Sequence, residues 1–120
     1  MRYTARQRLR RDADFEQIRA SGLRTDCGAF TMQWLARLQK AGEKPLRRFA
    51  VIASRKTGDA VRRNRAKRVF REIFRLNQEA LPNQCDIIIV VRPNFQNYSF
   101  AELQQRYLKA VSKINFKLNR

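Results

Sequence analysis

Between Ala60 and Arg75 the chain reads AVRRNRAKRVFREIFR, seven arginines and lysines against a single acid, Glu72. The chemistry open to such a set is phosphate binding. A guanidinium is planar, permanently charged and able to donate two parallel hydrogen bonds to one phosphate. Taken as one helix from Asp59 to Leu76, the segment sorts into two stripes. Ala66, Val69, Phe70, Ile73 and Leu76 fall at i, i+3, i+4, i+7 and i+10 and form an apolar face. Asn64, Lys67, Arg68, Arg71 and Arg75 fall at i, i+3, i+4, i+7 and i+11 on the opposite face, flanked by Arg63 and Arg65. A face that is only solvated usually alternates its charges, because like neighbours destabilise a helix. Here Lys67–Arg71, Arg68–Arg71 and Arg71–Arg75 are all like pairs, and only Glu72 can relieve Arg68 or Arg75. The spacing predicts an amphipathic helix with its polar face reserved for a polyanion.

The whole chain carries the same bias. Its 120 residues hold 27 Lys+Arg against 10 Asp+Glu, a net charge of +17 and a pI near 11.4. Such an excess points to nucleic acid. A basic amphipathic helix also suits a membrane surface, but this one lies between strands and its apolar stripe is needed for a core. A DNA-recognition helix needs a helix-turn-helix partner, and none adjoins it. RNA therefore ranks above DNA, and both above a membrane.

Other chemistries find little support. The chain has no histidine, which removes the commonest general base and the usual nucleophile dyads. Cys27 and Cys85 form no C-x-x-C pair and are expected as two reduced, partly buried thiols rather than a disulfide. Asp12 and Asp14 read as helix-start residues, not as an acid–base couple. No catalytic residue and no metal site is expected on the chain. It lacks an apolar run long enough to cross a membrane, and its basic N-terminus lacks the apolar core of a signal peptide. A cytoplasmic protein of one domain, residues 1–120, is the expectation.

The elements that must position the basic helix follow from periodicity. Asp12 to Ala20 reads as a short helix with Asp12 as N-cap and Gly22 just past its end, placing Phe15 and Ile18 on one face. GAFTMQWLARL alternates, with Phe30, Met32 and Trp34 on one side and Thr31, Gln33 and Leu35 on the other. QKAGEKPLRR has loop composition, FAVIASRK reads as a second strand, and Asp59 is a good N-cap for the basic helix. DIIIVVR is apolar on both faces, as an interior strand requires. Ser99 and Glu102 form a capping box for a last helix whose Leu103, Tyr107, Ala110, Val111 and Ile114 share one face. The order is helix, two or three strands, basic helix, strand, helix. It predicts an α/β (α+β) two-layer sandwich with mainly antiparallel strands.

The segment SRKTGDAVRRNRAKRVFREIF, Ser54 to Phe74, closely resembles the signature of the bacterial ribonuclease P protein subunit. The resemblance rests on Ser54-Arg55-Lys56, Gly58, Ala60-Val61, the triplet Arg63-Asn64-Arg65, Lys67-Arg68, Arg71 and Glu72. RLRRDADFEQI resembles the family's first helix and DIIIVVRP its last strand. The likeness is weakest over Leu38–Arg48 and after Tyr107.

The resemblance implies the protein partner of a catalytic RNA that removes the 5′ leader from precursor tRNA. It implies that the RNA performs the chemistry with Mg²⁺, and that the protein alone binds no cofactor and needs no further protein. It sets Arg63, Asn64, Arg65, Lys67, Arg68 and Arg71 against the catalytic RNA. It sets the single-stranded leader in a cleft between the first helix and the sheet, with Phe15, Lys56 and Arg92 along it. Phe15 is equally open to a plain core role, while Phe30, Met32 and Trp34 read as core. The family's strand–helix–strand crossover is left-handed and of the ribosomal-protein type, where general rules favour a right-handed one. The sequence departs from the family at Arg19 and Gln33, where cleft aromatics are usual, and at Ala66, where a larger aliphatic is usual. The rival reading is a ribosomal-type or general RNA-binding protein with no processing role.

Overall fold

Two residues per repeat in the strands and 3.6 in the helices leave this chain one way to hide its apolar side chains. The structure, a computed structural model, describes residues 3–38 and 40–118. Helix α1 (Asp12–Ser21) leads into strands β1 (Leu23–Asp26), β2 (Phe30–Ala36) and β3 (Leu46–Ile52). Then come helix α2 (Ala60–Leu76), strand β4 (Gln84–Val91) and helix α3 (Phe100–Leu118). The sheet order is β1-β2-β4-β3. β2 pairs antiparallel with β1 and β4, while β3 runs parallel to β4 with α2 as the crossover between them. The doubly apolar β4 is thus interior, as its composition requires.

The two sheet faces have different covers. Phe30, Met32 and Trp34 of β2, Phe49 of β3 and Ile87, Ile89 and Val91 of β4 pack with Phe70, Ile73 and Phe74 of α2 and Leu103, Tyr107 and Ile114 of α3. The opposite face carries Ile88, Val90, Leu35, Ala50 and Ile52, against which Ile18 and Phe15 of α1 and Leu9 pack. The N-terminal arm follows the free edge of β3: the Leu9 amide donates to the Phe49 carbonyl at 3.1 Å, and the Tyr3 ring meets Phe49 and Phe74 edge-on.

Several boundaries differ from the sequence expectation. Asp12 is the first residue of α1, not its N-cap; Arg11 holds that position without a side-chain cap. Asp12 and Asp14 instead place negative charge at the positive end of the helix dipole. The strand expected over FAVIASRK starts earlier, at Leu46, because Leu46, Arg47 and Arg48 pair with Gln84, Cys85 and Asp86. It stops at Ile52, and Arg55–Thr57 coils into a 3-10 turn in which the Ser54 hydroxyl accepts the Lys56 amide hydrogen. On α2 the buried set is Ala66, Phe70, Ile73 and Phe74, whereas Leu76 is 52% exposed. Phe74 takes the inner place because its ring stacks on Phe49 at 4.6 Å between centroids. The capping box of α3 forms as expected, with Ser99 and Glu102 exchanging bonds of 2.9 and 3.1 Å. Gln39, and Asn119 and Arg120 of the final NFKLNR, lie outside the described residues.

Two features fix α1 over the sheet. Gly22 ends the helix with an ordinary φ of −81°, so conformational freedom is not why glycine is there. A Cβ at Gly22 would collide with the Ile18 carbonyl oxygen and lie 2.5 Å from that of Trp34. The second feature is Asp86, 2% exposed on β4. Its carboxylate accepts two bonds from Arg48 at 2.8 Å and one from Arg37 at 3.0 Å, and Arg48 reaches on to Asp14 of α1 at 3.3 Å. Gly22→Ala should lower unfolding free energy by about 1–3 kcal/mol in urea melts, the ordinary cost of forced overpacking. Asp86→Asn should cost about 3 kcal/mol by the same measurement, because it leaves two guanidiniums without their buried counter-charge.

Candidate nucleic-acid interface

The basic helix begins where the backbone forces it to begin. Gly58 takes φ +143°, a conformation L side chains rarely adopt, and turns the chain out of the 3-10 turn. Asp59 then caps α2, its carboxylate accepting the Arg62 amide hydrogen at 3.0 Å. With Ala66, Phe70, Ile73 and Phe74 buried, the helix can turn only one way. Asn64, Arg65, Arg68 and Arg71 come out exposed and Lys67 half-buried along its stem. Val61, Asn64, Lys67, Arg68 and Arg71 line a shallow basin of about 550 Å³. Among the described residues no carboxylate lies within ion-pair range of Arg65, Lys67, Arg68 or Arg71. Glu72, the one acid available, is taken by Arg75, whose Nε donates to it at 2.9 Å. That pair holds the Glu72 carboxyl below its usual range. Four uncompensated cations on one rigid face are suited to a run of phosphates.

Arg63 is placed differently from its neighbours in the triplet. It lies one and two turns before Ala66 and Phe70 on the inner side of α2, half-buried, and its Nε is enclosed without a protein acceptor among the described residues. A neighbouring basin of about 660 Å³ sets the rings of Tyr3 and Phe100 beside Arg65, Arg68 and Arg71. Periodicity gave neither aromatic a role, since both reach α2 from distant parts of the chain. Ala66 is fully buried, and its small side chain admits close contact with the sheet.

The residues implied for a cleft are partly gathered. Phe15 is half-buried against the α1 side of the sheet, so it is neither a sealed core residue nor a free platform. The Arg19 guanidinium lies 6.0 Å from its ring centroid, within cation–π range. Gln33, opposite Ile88 in the register, faces the same side. Lys56 and Arg92 stand at one end of the sheet, because β3 and β4 are parallel and both run out there. Lys56 is exposed, whereas Arg92 is engaged: its guanidinium grips Asp26 at 2.7 and 2.9 Å and donates to the Gly28 carbonyl at 2.9 Å. That fork, together with the Gly28 amide, lowers the Asp26 carboxyl to about 2. Asp26 is therefore ionised near neutrality, where Arg92 is its partner.

The two thiols and most of the carboxylates have structural roles. Burial raises the Cys27 thiol to about 11 and the Cys85 thiol to about 12, so both stay protonated near neutrality. Both are free. Cys85 sits opposite Ala36 at one end of β2 and Cys27 just before its other end, roughly 20 Å apart at strand rise, far beyond disulfide reach. Asp59 and Glu102 cap helices, while Asp14, Asp26, Glu72 and Asp86 pair with arginines. Among the described residues no three His, Cys, Asp or Glu side chains gather as metal ligands.

Comparison with known proteins agrees with this geometry. The family model described as Ribonuclease P matches residues 3–115. The ribonuclease P protein component of Oleidesulfovibrio alaskensis is 51% identical over 53 residues, 44% of this chain and 42% of that protein. The component from Syntrophobacter fumaroxidans is 30% identical over 108 residues, covering 89% of this chain and 87% of its own. The solved ribonuclease P protein of Thermotoga maritima superposes with a TM-score of 0.75 at 29% identity, over 90% of this chain and 97% of that one. Family model, sequence and overall superposition agree over nearly the whole chain, which belongs to the ribonuclease P protein family.

Proposed function

We propose that this chain is the protein subunit of a ribonuclease P ribonucleoprotein, a cytoplasmic enzyme that removes the 5′ leader from precursor tRNA. The observation that carries the proposal is the face of α2: Arg65, Lys67, Arg68 and Arg71 held outward with no acidic partner, on a chain of this family. In this reading that face docks on the catalytic RNA and replaces condensed counterions at its phosphates. Asn64 adds a polar contact, and so does Arg63 at the start of the helix, where its Nε has no protein acceptor among the described residues. The leader follows the opposite side of the molecule, over Phe15 and Arg19 toward Lys56 and Arg92. Aromatic and guanidinium planes beside fixed charge hold a single strand with little regard to its sequence.

The chain's part in the reaction is positional. Its thiols are protonated near neutrality and most of its carboxylates serve caps and arginines; in this reading the Mg²⁺ used in the hydrolysis belongs to the RNA. What the protein supplies is charge neutralisation and a fixed path for the leader, and both lower the Mg²⁺ the RNA needs to fold and to hold its substrate.

Two measurements test this reading. Cleavage of a precursor tRNA by the cognate catalytic RNA at low Mg²⁺ should be stimulated by the protein; absence of stimulation refutes the subunit role. Arg65→Ala and Arg68→Ala should each weaken affinity for that RNA and flatten the slope of log K against log salt by about one counterion. An unchanged slope removes those residues from the interface.

A further inference from the structure

A second stripe of cations lies on α3. Arg106, Lys109, Lys113 and Lys117 fall at i, i+3, i+7 and i+11, the spacing that Asn64, Lys67, Arg71 and Arg75 have on α2. Glu102 stands one turn before Arg106, but no acid occurs from Leu103 to Leu118, so the like pairs Lys109–Lys113 and Lys113–Lys117 go unrelieved within the helix. Cations near a helix C-terminus do complement its dipole, but that effect fades within the last turn. Arg106 and Lys109 lie well before it.

The stripe borders a groove between α3 and the edge strand β1. Its wider part, about 770 Å³, is lined by Thr25, Trp34, Lys109, Lys113, Phe116 and Lys117. It continues past Gly28 toward Arg106 as a narrower concavity of about 130 Å³. Lys109, Lys113 and Lys117 are exposed, and Phe116 leaves 69% of its surface in solvent. Asp26 is the one acid on the groove, and its oxygens are occupied by Arg92 and the Gly28 amide. Arg106 is held in place by the Cys27 carbonyl at 3.1 Å and by the Tyr98 ring, 4.7 Å away. Because β1 and β3 are opposite edges of the sheet and α2 packs over β3, this groove and the α2 face are separate surfaces.

We propose that the β1–α3 groove binds a second segment of single-stranded RNA, with its phosphates on Lys109, Lys113 and Lys117 and a base against Phe116. The charge pattern selects a polyanion, and the ring beside it selects one that carries stackable bases. The choice of RNA rests on the subunit reading above. One protein then holds three RNA segments, two of them toward opposite edges of one sheet and the leader across its α1 side.

Trp34 is the only tryptophan of the chain and lines this groove, so its emission reports on the site directly. Titration with a single-stranded oligouridylate should give a saturable, salt-dependent change in Trp34 fluorescence. The K109Q/K113Q/K117Q variant, whose changes are all on the surface, should keep its far-UV circular dichroism. Its binding slope against log salt should be flatter by about two. Phe116→Ala should weaken binding roughly fivefold or more. Arg65→Ala with Arg68→Ala should leave the Trp34 signal in place. The proposal is overturned by an unmoved Trp34 emission, by a response unaltered in the triple variant, or by one that disappears with the α2 substitutions. Stimulation of the catalytic RNA reports on the subunit reading, whereas Trp34 reports on the groove, so the two can fail independently.

Discussion

The burial of Ala66, Phe70, Ile73 and Phe74 against Phe30 and Phe49 is the interaction on which the rest depends. A helix with this density of like charge is unfavourable in isolation, and few helices of this length are stable in water without tertiary packing. The aromatic contacts, Phe30 with Phe70 at 4.9 Å and Phe49 with Phe74 at 4.6 Å, hold it to the sheet. Once that face is buried, rotation about the helix axis is fixed. Arg65, Lys67, Arg68 and Arg71 then have no inward direction to take. Core packing and the outward display of cations are in this sense one constraint seen from two sides of the same helix.

A buried carboxylate does the corresponding work on the other face of the sheet. Asp86 gathers Arg37 and Arg48, and Arg48 extends the network to Asp14. Such a network is a modest source of net stability, because desolvation offsets much of the attraction. Its effect is on geometry: it ties α1 to β3 and β4 while Gly22 lets the helix end press on the Trp34 backbone. Phe15 and Arg19 are thereby held over the sheet without being sealed into it. The molecule presents charge on both sides of a thin sheet, which suits a small protein lodged between RNA segments.

Much of this was legible in the chain. The interior position of β4 followed from an apolar run with no polar face, and the buried side of α3 followed residue for residue from its spacing. Asp59 and the Ser99–Glu102 box cap their helices as their types suggest. The misplaced features share a cause. Leu46 to Arg48 close a stretch of loop composition that holds Gly42 and Pro45, yet the Leu81 carbonyl accepts the Arg47 guanidinium and Asp86 accepts that of Arg48. Leu76 fits the helical stripe, but Phe74 finds a ring to stack on. Short β1 has too few residues for a periodic signal and exists because β2 offers it an edge. Periodicity describes one element at a time, whereas each of these outcomes depended on a partner element.

By itself, then, the sequence determined the basic helix, its two faces, the central strand and the motif that carries the family, because each is written in neighbouring residues at a fixed repeat. The tertiary structure decided which cations are available. It turned Arg63 inward, assigned Glu72 to Arg75 rather than Arg68, and closed Arg92 onto Asp26. It also brought Tyr3 and Phe100 to the arginine helix and β1 to the lysine stripe of α3. The physical reason is that a charge becomes a binding site only when no nearer counter-charge claims it, and nearness between distant residues exists only in the folded chain.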